Sequence, residues 1–301
     1  MNHLKEEFKK IWETWDLGNV TEFLRMRITW SGSKIHLDQC AYLETVLLRC
    51  RMQNAKSAAT PLPARYVPIP SVGAPNPEIR SRFQTVIGSL LYLMLGTCPD
   101  IAFAVIKLVQ HAANPSKEHL KRALYICCYL VGTSKYQLTY DGMSGEGISA
   151  CTDSDWASDN STHRSQTSYF IKLAKGLISW TSRAQKTIAL SSTEAEYMAL
   201  SDCSRQVVWM HTLLEELGYD LKPIPICSDN QGPIFISSNP VTEKRSKHID
   251  IRYHYICEVV ARKLAEVYFI DGDNNPADLL TKNLGIVKFQ KFRALLSLEF
   301  F

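Results

Sequence analysis

The sequence predicts an α/β protein: a mixed five-stranded sheet with flanking helices over residues 148–285, preceded by a mostly helical segment. Three observations predict it. From Gly147 onward, strand-like and helix-like runs follow in the order three strands, helix, strand, helices, strand, helix, which is the pattern of a layered sheet. Six of the 13 prolines fall between Pro61 and Pro77, so that stretch is an extended connector rather than a helix or a central strand. Between these regions, residues 78–140 read as helical throughout.

The elements follow in order. Phe23 to Trp30 and Lys34 to Leu37 flank a Ser-Gly-Ser turn and read as a hairpin. Gln39 to Met52 has apolar residues at Tyr42, Leu43, Val46, Leu47 and Cys50, a helical spacing. In the second block, Arg82 to Leu95, Pro99 to Ala113 and Ser116 to Val131 are three helices, the last with Ser116 as its start and Gly132 as its stop. The glycine-rich DGMSGEG, Asp141 to Gly147, separates helical from strand-like sequence.

In the third block, Gly147 to Thr152, Ser168 to Leu173 and Leu177 to Ser182 form an antiparallel meander. A long helix follows from about Ser192 to Leu217, with Ser191/Glu194 or Thr193/Glu196 as its capping box and Gly218 as its stop. Ile224 to Ser228 is a short strand, Gln231 to Ser238 and Lys247 to Leu264 are helical, Val267 to Ile270 is a strand, and Ala277 opens a final helix. The breaks divide the chain into 1–60, the connector 61–77, 78–140, 148–285 and a tail, 286–301.

Composition restricts the function classes. With 46% apolar and 21% charged residues the 301-residue chain is ordinary globular material, and a net charge of +4 is too mild to identify a nucleic-acid binder by itself. Nine cysteines without a C-x-x-C pair read as reduced core residues of an intracellular protein, not as a disulfide framework or a zinc site. The charged N-terminus MNHLKEEFKK carries no secretory h-region. The most apolar run, Thr85 to Cys98, falls short of the roughly 20 residues a membrane span requires.

Four acids carry the chemistry. Asp153 or Asp155 lies at the end of the first strand of the meander, Glu196 in the first turns of the long helix, Asp229 at the end of the fourth strand, and Asp278 at the start of the last helix. Acids gathered at one sheet edge repel one another unless cations neutralise them, and oxygen-only ligation favours magnesium or manganese over zinc. Taken singly, each has another reading: Glu196 as a capping-box residue, Asp229-Asn230 as a turn, Asp278 as a helix cap.

The motifs CTDSDWASDN, SSTEAEYMALSD, CSDNQGPIFI, KHIDIRYHYI and NPADLLTK occur in this order and resemble the ribonuclease H domain of copia-type retrotransposon polyproteins. Upstream, WDLGNVTEFLRMRI, VIGSLLYLMLGTCPDIAFAV and HLKRALYICCYLVGTSKYQL resemble the tail of the same family's reverse transcriptase. The resemblance implies a ribonuclease H-like sheet over 148–285, a remnant of reverse transcriptase palm or thumb over 1–60, and a thumb or connection segment over 78–140. That segment is expected as a loosely docked appendage with exposed apolar surface.

By the same resemblance, Asp153, Glu196, Asp229 and Asp278 would be catalytic and would hold two Mg2+ or Mn2+ ions, with Asp155 and Glu194 the rivals to the first two. One ion would activate water and the other would stabilise the leaving 3′ oxygen, cutting the RNA strand of an RNA–DNA hybrid to leave a 5′ phosphate and a 3′ hydroxyl. Independently of the resemblance, Lys244, Arg245, Lys247 and Arg252, with Arg262 and Lys263 near the end of the same helix, form a basic cluster that reads either as a grip on hybrid phosphates or as a solvated helix face.

The remaining expectations concern context and departures. The original partner would be the rest of the polyprotein, with no membrane, in an intracellular setting: a cytoplasmic particle or the nucleus. No Y-x-D-D occurs in the sequence, so polymerase activity is not expected. An integrase takes its last acid as a glutamate from a late helix, which the order Asp, Glu, Asp, Asp disfavours; an inert remnant or a binding domain is the other alternative. The family usually has glycine where Arg25 and Ser168 stand. The loop before Asp278, DGDNNPAD, lacks the histidine that many ribonucleases of this fold carry. His248, His254, Trp156 and Trp180 read as structural.

Overall fold

In a computed structural model, which describes residues 2–64, 66–159, 161–230 and 247–300, the chain forms two five-stranded sheets that meet along one seam. After helix α1 (Asn2–Ile11), strands β1 (Glu22–Phe23) and β2 (Met26–Ser31) turn through Leu24 and Arg25, whose φ values of 48° and 56° lie in the left-handed region. A side chain there is disfavoured and glycine is not, which gives the glycine expected at position 25 its physical meaning. Strand β3 (Lys34–Asp38) pairs with β2, and helix α2 (Cys40–Cys50) follows.

Three helices come next: α3 (Pro77–Gly96), with Asn76 accepting the Ile79 N–H at its N-cap; α4 (Ala102–Val109); and α5 (Lys117–Gly132). Ser116 and His119 form a reciprocal capping box at the start of α5, which fixes where that helix begins.

The stretch read as the end of a helical block is partly a strand. Tyr136–Asp141 is β4, paired with β3, and it completes the first sheet together with β10 (Leu298–Phe300) at the far end of the chain. Residues 286–301, expected as a tail, contain helix α8 (Ile286–Leu295) and this closing strand. The reason is a buried polar chain: the Tyr129 hydroxyl donates to the buried Asp100, and Arg293 on α8 donates to Tyr129 (3.2 Å) and to Tyr136 (3.1 Å). A carboxylate so buried needs its partners.

The second sheet is the mixed ribonuclease H-like sheet that the sequence predicts. Strands β5 (Ser149–Asp155), β6 (Gln166–Leu173) and β7 (Gly176–Ala184) form the meander. Helix α6 (Ser192–Glu216) leads to β8 (Ile224–Ser228), parallel to β5, and α7 (Lys247–Ala261) leads to β9 (Ala265–Phe269), parallel to β8. The sheet order is β7-β6-β5-β8-β9. The helix predicted over Gln231–Ser238 lies outside the described residues.

Alternation along β6 sends side chains into two cores. Ile171 packs with Leu200, Val207, Ile226 and Ile256 beneath α6 and α7. Phe170 and Leu177 instead share a core with Leu90, Leu93, Val105 and Ile126 of the helical block and with Leu280 and Phe292. The helical block is therefore not a loose appendage: it covers one face of the nuclease-like sheet, and the Trp180 indole N–H donates to Met94 O (2.9 Å) across the contact. Apolar exposure concentrates elsewhere, at Trp12, Trp15 and Leu17 of the N-terminal arm.

The two sheets touch where β4 passes the β6–β7 turn. The Tyr140 hydroxyl donates to Leu177 O (2.6 Å), and the Asp141 N–H donates to Ala174 O (2.8 Å). Gly176 makes this approach possible, since a Cβ there would stand 2.7 Å from Thr139 O and would also run into the Tyr140 ring. Gly176→Ala is expected to destabilise the chain by about 2–3 kcal/mol through this overpacking, read as a lower urea midpoint at unchanged slope; an unchanged midpoint would show that the seam is loose.

Candidate metal centre

The centre is set by register. Cys151 in β5 stands directly opposite Cys227 in β8, and Asp153 and Asp229 each follow two residues later. Parallel strands run their side chains in step, so both aspartates come out at the same edge. The two cysteines, expected to be reduced, are joined in a disulfide. Their backbones approach to 4.5 Å between Cα atoms in this register, while the other seven cysteines are free.

Residues alternate along β5. Ala150 faces the α6 side and Cys151 the opposite side, so Asp153 and Asp155 point toward the C-terminal segment and Ser154 toward α6. Asp153 is fully buried. Its Oδ2 accepts from the Thr281 hydroxyl and lies 3.6 Å from Lys282 Nζ, while its Oδ1 is buried without a hydrogen-bond partner.

Asp278 sits in a 3-10 turn, Pro276–Leu280, that Asn275 caps by accepting the Ala277 N–H. The turn is pinned to the sheet from two sides. Asn275 Nδ2 donates to Thr152 O (3.0 Å), and the Ser168 hydroxyl donates to Ala277 O (3.0 Å). Ser168 thus does something a glycine at that position could not. Both Asp278 carboxylate oxygens meet lysines: Oδ1 lies 2.5 Å from Lys282 Nζ and Oδ2 lies 2.9 Å from Lys288 Nζ.

Asp229 follows β8, half-buried, with Oδ1 unpartnered; Gly272 leaves room for it, as a Cβ there would come within 3.0 Å of Asp229 Oδ2. One ligand atom each from Asp153, Asp229 and Asp278 lies within 4.8 Å of the others, close enough to share a cation.

Glu196 stands beside this triad rather than within it. Coming from α6, it reaches the strand edge through Ser154, whose backbone N–H (3.1 Å) and hydroxyl (2.8 Å) both donate to its Oε1; its Oε2 is buried and unpartnered. Glu194, its rival, is occupied as a cap: its N–H donates to Ser191 Oγ (3.1 Å), and its carboxylate accepts the Leu190 N–H (2.8 Å). Asp155, the rival to Asp153, faces a cleft of about 400 Å³ lined by Tyr66, Phe103, Lys107, His111 and Asn283.

The electrostatics follow from burial. Desolvation pushes the Asp153 carboxyl up to about 7, with Lys282 opposing and Asp278 adding to the shift. Burial, then the charges of Asp153 and Asp229, raise Glu196; burial also raises Asp229. Burial alone would lower the Lys282 pKa, but the charges of Asp153 and Asp278 outweigh it and hold the ammonium firmly protonated.

Of the four acids expected from the sequence, the structure brings Asp153, Asp229 and Asp278 together and places Glu196 beside them, while Thr281, Lys282, Lys288 and Ser154 are not among the expected site residues. Thr281 and Lys282 were visible as the end of NPADLLTK, whereas Lys288 had no signal. Of the phosphate-gripping residues, Lys244 and Arg245 lie outside the described residues, and for Lys247 the structure describes only the backbone, at the start of α7. Arg252 lines a groove of about 150 Å³ with Arg183, Lys186 and Arg205; Arg183 and Arg205 both pair with Asp202. Arg262 is exposed and pairs with Glu258 (3.4 Å). His254 stacks edge-on against Tyr253, and the half-exposed Trp156 donates to Ala189 O (3.0 Å).

No family model matches the chain. Curated proteins do match it, and two of them show the likeness. The chain is 36% identical over 304 aligned residues to the retrovirus-related Pol polyprotein from transposon TNT 1-94 of Nicotiana tabacum, covering 98% of this chain and 23% of that protein. It is 35% identical over 269 residues to the Pol polyprotein from transposon RE1 of Arabidopsis thaliana, covering 86% of this chain and 18% of that one. The chain therefore spans about a quarter or less of these relatives' lengths. Among solved structures, LC11-RNase H1 in complex with an RNA/DNA hybrid aligns at 15% identity and a TM-score of 0.33, over 44% of this chain and 92% of that one.

The raised Asp153 pKa fixes the sign of a pH dependence. A carboxyl near 3.8 when unfolded and about 7 when folded contributes stability that is complete below about pH 4 and is lost as pH rises through 7. Without divalent metal, Asp153→Asn is therefore expected to be more stable than the parent at pH 8, by ~2 kcal/mol, and nearly equal to it at pH 4.5. Thermal melts in chelator at the two pH values check this, and a difference independent of pH would overturn the argument.

Proposed function

That the chain belongs to the retrovirus-related Pol polyproteins of copia-type retrotransposons is the premise from which we propose that residues 148–285 form a metal-dependent ribonuclease H cutting the RNA strand of RNA–DNA hybrids. The observation that carries the reading is the triad of Asp153, Asp229 and Asp278 together with three buried carboxylate oxygens, on Asp153, Glu196 and Asp229, that have no hydrogen-bond partner. Buried unpaired oxygens are costly unless a ligand completes them.

The donor set is all oxygen, which fits Mg2+ or Mn2+. Asp153, Asp229 and Asp278 would hold the metal, with Glu196 at their side. The chemistry such cations supply is acidification of a water and neutralisation of charge on the leaving 3′ oxygen. The chain's residues do the positioning. Thr281 fixes the Asp153 carboxylate, Ser154 aims Glu196 from α6, and Asn275 and Ser168 hold the Asp278 turn against the sheet. With no histidine in the loop before Asp278, the proton for the leaving group would come from water or from another side chain. The products are a 5′ phosphate and a 3′ hydroxyl.

On the substrate side, Arg183, Lys186, Arg205 and Arg252 present guanidinium and ammonium groups on the face covered by α6, suited to phosphates of the hybrid rather than to bases. With no Y-x-D-D in the sequence, polymerase chemistry is not assigned to this segment. Among the described residues no helix is long and apolar enough to cross a membrane. The remaining partner is the rest of the polyprotein, in an intracellular particle or the nucleus.

The test is a labelled RNA–DNA hybrid incubated with the chain and Mg2+ beside the Asp229→Asn variant. Cleavage of the RNA strand by the parent, reduced by about two orders of magnitude or more in the variant, is the expected result. A folded parent that cuts with neither Mg2+ nor Mn2+ would mean an inert remnant.

A further inference from the structure

The segment that carries Asp278 also carries its own cation. Lys282 follows Asp278 by four residues, at the end of the 3-10 turn, and its backbone N–H donates to Asp278 O (2.9 Å). That turn returns the side chain over the carboxylate. Its Nζ lies 2.5 Å from Asp278 Oδ1 and 3.6 Å from Asp153 Oδ2, so one ammonium bridges two of the three triad acids. The residue before it, Thr281, donates to the same Asp153 oxygen. The run D-L-L-T-K therefore covers Asp153 Oδ2 twice and Asp278 Oδ1 once.

Lys288 is placed differently. It reaches Asp278 Oδ2 (2.9 Å), but it also contacts Asp273 Oδ1 (3.3 Å) and Gly272 O (3.4 Å) and rests near the Phe292 ring (5.3 Å), at the rim of the centre. Asp273 is almost fully exposed, so Lys288 spans from the centre to solvent. Of these two lysines, Lys282 is the one that lies between triad acids.

Two like charges held close in a dry site cannot both stay ionised without a counter-charge. A lysine supplies one as a compact point charge on a flexible four-carbon stem, able to leave by rotamer change without backbone motion. Both Asp278 oxygens are engaged by ammonium groups, while the unpartnered oxygens lie on Asp153, Glu196 and Asp229. A cation shared by all three triad acids must therefore take an oxygen from a lysine.

We propose that Lys282 is a resident counter-ion of the acidic centre: its ammonium holds Asp153 and Asp278 together in the metal-free chain and competes with the divalent cation for them, so that metal entry displaces it. The proposal rests on the metal-dependent reading above and adds a residue which that reading does not require. Lys282 acts here as a positioning residue, setting how tightly the centre holds metal.

The measurement is Mn2+ binding to the full chain by titration calorimetry, with hybrid cleavage recorded separately. Lys282→Met removes the charge at similar length and is expected to tighten Mn2+ binding by at least about tenfold, to lower the melting temperature in chelator, and to enlarge the rise on adding Mn2+. Lys282→Arg keeps the charge and should bind Mn2+ within about threefold of the parent. Lys288→Met should move the affinity less than Lys282→Met does.

A lysine that served only to hold the fold would give the opposite sign, because its loss would loosen the acids and weaken Mn2+ binding. Unchanged or weaker binding by Lys282→Met would overturn the proposal even if the parent cuts hybrid. Tighter binding by Lys282→Met, or folding of that variant only when Mn2+ is present, supports it even if no chain cuts hybrid, in which case the ribonuclease reading alone fails. Absence of Mn2+ binding in parent and variant alike overturns both.

Discussion

Asp153, Glu196, Asp229 and Asp278 bring four carboxyl groups to one strand edge, three of them almost wholly shielded from water. Their mutual repulsion is the constraint around which the C-terminal half is arranged. Burial denies each acid the solvation that would make its charge tolerable, and proximity adds the charges of the others. The chain answers with fixed donors: Thr281 to Asp153, Ser154 to Glu196, Lys282 and Lys288 to Asp278. These donors cover some oxygens and leave others bare. A site satisfied throughout by its own protein would have no use for a ligand, and one without donors would not hold its acids in place.

Holding acids together against repulsion requires rigid supports, and here the supports come from distant parts of the chain. Asp153 and Asp229 are aligned by the parallel register of β5 and β8, stapled at Cys151–Cys227 across a sequence separation of 76 residues. Asp278 is aligned by a turn that is bonded to Thr152 O through Asn275 and to the Ser168 hydroxyl through Ala277 O. Beneath that turn, Leu279 and Leu280 sit in the same core as Leu90, Leu93 and Ile101 of the helical block. The helical segment thus backs the centre: packing against α4 and the Pro99–Ile101 turn before it keeps the Asp278 turn pressed to the sheet. Dispersion and apolar burial there oppose the charge repulsion at the edge.

Local signals in the sequence were sufficient wherever the structure is local. The meander, the long helix and its start at Ser191, the capping of α5 by Ser116 and the helical reading of α3 depend on periodicity and on caps a few residues apart. What escaped depends on contacts distant in sequence. Strand β4 has no turn signal separating it from α5 beyond Thr133–Lys135, and its partners, β3 and β10, lie about 100 and 160 residues away. The disulfide depends on the β5–β8 register, which no spacing of cysteines reveals. Glu196 and Glu194 both fitted a capping box, and only tertiary placement separated them, one onto Leu190 N–H and the other onto Ser154. The four acids are legible as candidates in the motifs; Lys282 and Lys288 beside them are not, because a lysine near aspartates reads as a solvated pair until burial is known.

The two departures from the family's glycines differ in consequence. Arg25 sits at positive φ in the β1–β2 turn, where a side chain strains the backbone, and that turn belongs to the first sheet, away from the acids. Ser168 is buried beside Asp153 in the β5–β6 ladder, and its hydroxyl bonds the Ala277 carbonyl next to Asp278. The side chain at 25 strains an outer hairpin, while the hydroxyl at 168 finds a partner and ties down the turn bearing the last acid. A buried hydroxyl is stabilising only when it is bonded, so the serine at 168 fits an Asp278 turn held where it now lies.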